Sequence, residues 1–307
     1  MINQPIIVSI VIPLYNHGQY IQETLDSIDH NKINYSFEII IVDDGSTDLE
    51  TLQKIDSLKK MNYNIIQQKN GGPGKARNAG VSLAVGKYIL PLDADNKINP
   101  EYINKAIPFL ESNQYDIVYA SPIFFGDTSI KKRQYKVRPF NDLGIVTGNC
   151  ADACAIYRKD VWTQNNGYDE AMPYFGFEDW DFWINASKNG FRFHFIKEKL
   201  FYYRILNNSM VSGFNNNKRF VEIHRYIAKK HSDFFLEKMV KLAYTRERYY
   251  YDLLRFPITP IIYLLYWLGI LEKSTLRAKK KYAHYEVDKK NNSPSTLIMG
   301  NERNNKI

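Results

Sequence analysis

Residues 6–12, Ile-Ile-Val-Ser-Ile-Val-Ile, form a short apolar, β-branched run that ends at Pro13, and a run of the same kind returns at Phe37–Val42. Runs this short read as strands, and so continuous an apolar character implies burial on both faces. Between them Ile21, Leu25 and Ile28 recur at helical spacing, and Leu49, Leu52, Ile55 and Leu58 repeat the pattern after Asp48. A third strand is predicted over 62–67, a helix over 80–85, and a fourth strand over 87–92 ending at Asp93. Strands alternating with helices in this way imply a parallel sheet with helices on both faces.

Beyond Pro100 the alternation loosens. The spacing predicts a helix over 101–110 and a strand around 116–120, while 124–141 has no clear period. An α+β lobe built onto the first half is the expected result. Helical spacing returns over 220–251. The expected organisation is one domain over 1–215, divided into 1–100 and 101–215, then a basic helical region over 216–290 and a polar, disordered tail over 291–307.

With 307 residues, 44% hydrophobic and 24% charged, the chain has the composition of a folded enzyme-sized core, and disorder or collagen-like repeats are excluded. The two cysteines, Cys150 and Cys154, are too few for a disulfide framework and lack zinc-site spacing. They read as free thiols of a reducing, cytoplasmic compartment. The start of the chain has no basic stretch before its apolar run, so it reads as a first strand and not a signal peptide. The net charge is +8, and residues 215–290 hold seventeen Lys or Arg against eight Asp or Glu, so the basicity belongs to the carboxy-terminal region.

In open parallel sheets ligands bind beyond the carboxyl ends of the strands. The first strand runs into Pro13-Leu14-Tyr15-Asn16-His17 and the second into Asp43-Asp44-Gly45-Ser46. The third leads to Gly71-Gly72-Pro73-Gly74-Lys75-Ala76-Arg77-Asn78, and the fourth to Asp93-Ala94-Asp95-Asn96. Tyr15 can stack on a base, Asp44 can accept from a base or ribose, and Arg77 can approach phosphates as a fork-shaped donor. Asp93 and Asp95, two apart, point to one side of an extended segment and offer hard oxygens to Mg²⁺ or Mn²⁺ bridging a diphosphate. The glycine-rich stretch has neither dinucleotide-binding nor P-loop spacing. Taken singly, the Asp pair also fits a turn, and Asp43–Ser46 fits a turn leading to a helix cap at Asp48.

Val11-Ile12-Pro13-Leu14-Tyr15-Asn16, Ile41-Val42-Asp43-Asp44-Gly45-Ser46-Thr47-Asp48, Ala76-Arg77-Asn78-Ala79-Gly80 and Leu92-Asp93-Ala94-Asp95 together resemble the nucleotide-sugar-binding half of inverting family 2 glycosyltransferases of the GT-A fold. The resemblance extends through Gly167-Tyr168-Asp169-Glu170 to Phe177-Glu178-Asp179-Trp180-Asp181-Phe182-Trp183. It implies an α/β, Rossmann-like, mostly parallel sheet with an acceptor lobe. It also implies a donor site of Pro13, Tyr15, Asp44, Arg77, Asp93 and Arg204, and a Mn²⁺ or Mg²⁺ site at Asp95 with Asp93. Inverting transfer is a single displacement at the anomeric carbon, so the attacking hydroxyl must lose its proton to a fixed carboxylate. Asp179 is the candidate base, with Glu178 orienting the acceptor or exchanging roles with it. The alternative reading makes Glu178, Asp179 and Asp181 the polar face of a helix whose Trp180, Phe182 and Trp183 are core. Two positions depart from the family pattern: Asn96 stands where a further acid is common, and Leu206 where many members carry a histidine. His194 reads as a structural strand residue.

The implied donor is a nucleotide-diphosphate sugar, with UDP the expected nucleotide, and the implied acceptor is a glycan or lipid-linked oligosaccharide in surface polysaccharide synthesis. The alternatives are a nucleotidyltransferase, which would release pyrophosphate, and a non-enzymatic nucleotide-sugar-binding or membrane-docking protein. The apolar run 256–270 is shorter than a bilayer span and contains Pro257 and Pro260. It is left between internal packing, a homo-oligomer contact and peripheral contact with an anionic membrane at the inner face of the cell membrane. No nucleic-acid-binding motif accompanies the basic charge.

Overall fold

The computed structural model describes residues 5–129, 134–206 and 217–241. Residues up to Val240 belong to one compact unit, and a second begins at Lys241. The apolar run 256–270 and the tail 291–307 lie outside the described residues.

The first half folds as the alternation requires. Strands β1 (Val8–Leu14), β2 (Phe37–Asp43), β3 (Asn64–Gln67) and β4 (Tyr88–Pro91) are separated by helices α1 (Gly18–Asp26), α2 (Leu49–Lys60) and α3 (Pro73–Leu83). They lie side by side in the order β3-β2-β1-β4, all parallel. Alternate β1 residues Val8, Ile10, Ile12 and Leu14 join the core that holds Ile21 and Leu25 of α1 and Ile55 and Leu58 of α2. The other face takes α3, at a separation only glycine permits. A Cβ on Gly80 would stand 2.3 Å from Cγ1 of Val11 and 3.1 Å from Cγ2 of Val42. The Asp43–Asp48 turn is also a cap, because the Asp48 carboxylate accepts from the Thr51 amide at 2.8 Å.

The remaining elements are β5 (Lys97–Ile98), α4 (Glu101–Glu111), β6 (Ile117–Gly126), β7 (Ile156–Arg158), α5 (Lys159–Gln164), α6 (Glu178–Lys188), β8 (Phe193–Ile205) and α7 (Asn217–Lys230). They extend the sheet to eight strands, in the order β3-β2-β1-β4-β7-β6-β8-β5. Pairing here is mixed: β4 with β7, β7 with β6 and β8 with β5 run antiparallel, while β6 and β8 run parallel across a register shift at Ser121. Helix α4 covers the face shared with α1. Trp180, Phe182 and Trp183 of α6 are almost completely buried, so α6 has the apolar core side that its sequence suggested, and its acids remain to be placed. His194 is stacked on Phe109 and Tyr115, as a structural strand residue. Cys150 and Cys154 are free thiols, both driven toward the protonated form by burial, Cys150 to about 12.

Candidate active site

A cleft of 430 Å³ opens over the carboxyl ends of β1, β2 and β4, and Pro13, Tyr15, Asp44, Asp93, Asp95 and Arg204 all line it. Six of the residues expected at the donor and metal sites therefore share one cavity. The Tyr15 side chain remains 46% exposed, which leaves its ring free to stack.

Asp44 is buried, and its carboxylate accepts from Gln68 Nε2 at 2.7 Å and from the amides of Gly71 at 3.0 Å and Gly72 at 2.7 Å. It thus fixes the glycine-rich turn and has at most one lone pair left for a ligand. Gly72 has φ +88, and a Cβ there would strike the Phe175 ring at 2.3 Å. That close approach seats Phe175, also a lining residue, on the lip of the cleft.

Arg77 joins the two halves of the centre. It is 3% exposed, and it donates from Nη2 to Asp93 Oδ1 at 2.7 Å and from Nη1 to Glu178 Oε1 at 2.7 Å. Asp93 lies two residues beyond β4, whereas Glu178 opens α6. One buried guanidinium therefore brings the strand-end carboxylates and the Glu178–Asp179 pair to a single centre. Each terminal nitrogen of Arg77 is thus engaged by a carboxylate. The second Glu178 oxygen accepts from the Gly176 amide at 2.8 Å, so Glu178 is held at both ends.

Asp179 is placed differently. Its Oδ2 accepts from Asn149 Nδ2 at 2.8 Å and its Oδ1 from its neighbour's amide, Trp180 N, at 2.8 Å. Among the described residues no cation pairs with it. Burial, and next the charges of Glu178 and Asp152, hold its carboxyl well above the usual range. A carboxylate of high proton affinity beside a cleft has the properties of a general base.

Arg204 is clamped. Its guanidinium lies over Tyr20 at 4.5 Å and Phe125 at 4.3 Å, pairs with Glu23 at 2.9 Å, and donates from Nε to the Asp95 carbonyl at 2.9 Å. Its amide donates to Asn96 Oδ1 at 2.9 Å. The departure at Asn96 thus supplies a buried bond between the Asp93–Asn96 turn and β8, and Leu206 joins Tyr203 in the cleft wall.

Burial and the nearby Asp93 raise Asp95 to about 7. Asp152, which carries no motif in the sequence, lies at the same centre: it accepts from Tyr135 Oη at 2.5 Å and from the Cys154 amide at 2.9 Å, and burial with Asp93 raises it to about 6. Asn149 and Asp152 both lie on irregular backbone between β6 and β7, where local patterns say nothing about long-range contact.

The donor set fits a hard divalent ion in kind: carboxylate oxygens gathered in one centre, their proton affinities raised first by burial and then by one another's charge. Among the described residues no three His, Cys, Asp or Glu form a ready cage, so phosphate oxygens and water would have to complete the shell. Among the same residues no helix is long and apolar enough to cross a membrane.

A mixed eight-stranded sheet flanked by helices, with the ends of its parallel strands open on a cleft, is the architecture of the GT-A fold. The chain belongs to glycosyl transferase family 2, whose profile matches residues 9–164. Among curated proteins it is 29% identical over 232 residues to the poly(ribitol-phosphate) beta-N-acetylglucosaminyltransferase TarS of Staphylococcus aureus (strain MW2), which covers 72% of this chain. The chain spans only 39% of the length of that relative. It is 28% identical to the amylovoran biosynthesis glycosyltransferase AmsB of Erwinia amylovora, over 81% of this chain and 83% of AmsB. The crystal structure of S. aureus TarS 1-349 in complex with UDP-GlcNAc superposes with a TM-score of 0.58 at 27% identity, covering 73% of this chain and 66% of that one.

Proposed function

We propose that the chain transfers a sugar from a nucleotide-diphosphate donor, with UDP as the favoured nucleotide, to a hydroxyl of a growing surface glycan, inverting the anomeric centre. The observation that carries this reading is the Arg77 bridge from Asp93 to Glu178, which joins a nucleotide-sized cleft to an unpaired, high-affinity carboxylate at Asp179. The UDP-GlcNAc complex of TarS supports the choice of nucleotide.

In this reading Tyr15 stacks on the base, and the turn fixed by Asp44 and Gly72 bounds the base and ribose. Asp93, held by Arg77, keeps one oxygen for the ribose or the ion. Asp95, with Asp93, would hold Mn²⁺ or Mg²⁺, which supplies charge neutralisation for the leaving diphosphate. Asp179 takes the proton of the acceptor hydroxyl as that oxygen attacks the anomeric carbon, and the bond to the diphosphate breaks on the opposite face. Asn149 fixes one lobe of Asp179, and Glu178 raises its proton affinity. Since the base works ionised, kcat/KM falls as pH drops through its raised pKa.

The test is calorimetric titration with UDP and ADP, with and without Mn²⁺, followed by product analysis. Selective UDP binding and release of nucleoside diphosphate are expected. Release of pyrophosphate would establish nucleotidyl transfer instead, and UDP-sugar binding without turnover in any acceptor mixture would leave a binding protein. The domain division at 215 is part of this proposal, as is the assignment of the 256–270 run to internal packing, a second copy or a membrane surface.

A further inference from the structure

Residues 134–140 run without regular secondary structure beside the catalytic centre, yet they are pinned at four points. Tyr135 donates to Asp152 and stands edge-on to Phe124 and Tyr203 at 5.3 Å from each. Val137 is 8% exposed. The Arg138 carbonyl accepts from Tyr119 Oη at 2.7 Å, and Phe140 stacks on Phe193 at 4.1 Å. Val137 is buried between Lys136 and Arg138, which are both exposed, while Tyr135, itself 37% exposed, turns its hydroxyl to Asp152. Among the described residues neither of these cations has a side-chain hydrogen bond or ion pair. In the sequence, Lys131, Lys132 and Arg133 come immediately before.

A donor phosphate does not account for these cations, because the donor cleft is lined by other residues. They stand next to a centre holding Asp93, Asp95, Asp152, Glu178 and Asp179, whose summed charge repels any anion approaching Asp179. An acceptor that carries phosphate needs that repulsion offset, at a fixed place away from the reacting hydroxyl. The strap provides this. An extended chain carries Arg138 no more than about 11 Å from Tyr135, and Tyr135 touches Asp152. Side chains two apart on an extended segment stand ~7 Å from each other, so one ammonium and one guanidinium fork can straddle a diphosphate or two neighbouring phosphodiesters. A lone carboxylate would occupy only the fork. Because the backbone is already pinned, little ordering entropy opposes binding.

We infer that Lys136 and Arg138 form an anion subsite that selects a phosphate-bearing acceptor, either a phosphodiester-linked glycan or a saccharide on a lipid diphosphate. This rests on the glycosyl-transfer reading above and names the acceptor class for that same site.

The experiment measures binding to the UDP-loaded full chain, so that the donor site is filled. The probes are a glycerol phosphate hexamer, a farnesyl-diphosphate-linked GlcNAc, neutral chitohexaose, a hyaluronan hexasaccharide and phosphatidylglycerol vesicles. At least one phosphate probe is expected to bind tenfold or more tightly than chitohexaose or hyaluronan, and which one it is identifies the source of the phosphate. The exposed double variant Lys136→Glu/Arg138→Glu should lose roughly tenfold or more of that affinity, about 1.4 kcal/mol, while its UDP affinity stays within about twofold. Added salt should weaken the parent more than the variant. The inference is overturned if the variant binds phosphate probes like the parent, if neutral or carboxylate sugars bind equally well, or if vesicles alone respond, which would make the strap a membrane contact. Failure of the parent to bind UDP would strike the glycosyl-transfer reading separately.

Discussion

The two halves of the compact unit reach the same centre by different routes. In the donor half, Tyr15, Asp44 and Asp93 each stand at or just beyond the end of a parallel strand, and one local rule of chain geometry places them all. In the proposed acceptor half the candidate groups come from the first turn of a helix, Glu178 and Asp179, and from irregular backbone, Asn149 and Asp152. What places them is contact across the chain: Arg77 meets Glu178 over 101 residues, and the Arg204 amide meets Asn96 over 108. The donor side is thus built into the sheet, whereas the acceptor side is held against it by a few polar ties. Changes on the two sides should therefore fail in different ways.

The largest separation is expected from Asp179→Asn. Removing the base should lower kcat by roughly 10²–10⁴-fold while UDP affinity, set in the other half, stays within twofold. Paired turnover and calorimetry check this, and a joint loss of both would show that the halves are not separable. Arg77→Met attacks the tie itself. It leaves Glu178 and the partly exposed Asp93 without their shared cation, and breaking a buried pair costs about 3 kcal/mol. The measurement is denaturant unfolding, with Arg77→Lys recovering only part of the loss because one ammonium cannot fork to both carboxylates. A thermodynamically silent Arg77→Met would mean that the two halves are held by packing alone.

Asp95→Ala should act within the donor half only. Coupling between two bound ligands is typically 5–150-fold, so Mn²⁺ should tighten UDP binding by roughly tenfold in the parent and not at all in the variant. Equal Mn²⁺ enhancement in both proteins would remove Asp95 from the ion site.

How much of this was legible in the sequence follows the same division. Short β-branched runs closed by Pro13, Asp43 and Asp93 gave the order of strands and helices, because period and punctuation are local properties. The mixed pairing of β7, β6 and β8 was not legible, since β7 is three residues long and its partners lie far away in the chain. Arg77 was visible as a candidate site residue, but its carboxylate partners were not. A fork near a glycine-rich turn suggests phosphate, and only the folded chain reveals that Asp93 and Glu178 already occupy it. Asp152 had no signal at all: a single acid between alanines acquires its character from burial first, and then from the Asp93 charge that the fold brings near it.

Asp152 offers the smallest and most discriminating test. Its folded pKa of about 6 lies above the ordinary 3.8, so the folded state binds its proton more tightly than the unfolded state does. That favourable contribution is complete below the unfolded value, declines as pH rises from about 4 through about 6, and is absent above. Asp152→Asn substitutes a neutral amide for the protonated carboxyl. At pH 4 the two proteins should unfold at nearly the same denaturant concentration. At pH 7.5, without divalent ions, the variant should be the more stable, because it carries no buried negative charge beside Asp93 and Asp179. The same variant should lower the pKa seen in the acid limb of kcat/KM, since Asp179 loses a neighbouring charge. A stability difference independent of pH would show that Asp152 acts only as the acceptor for Tyr135, a fastening of the strap. A difference that grows with pH would make it part of the charge that prepares Asp179 to accept a proton.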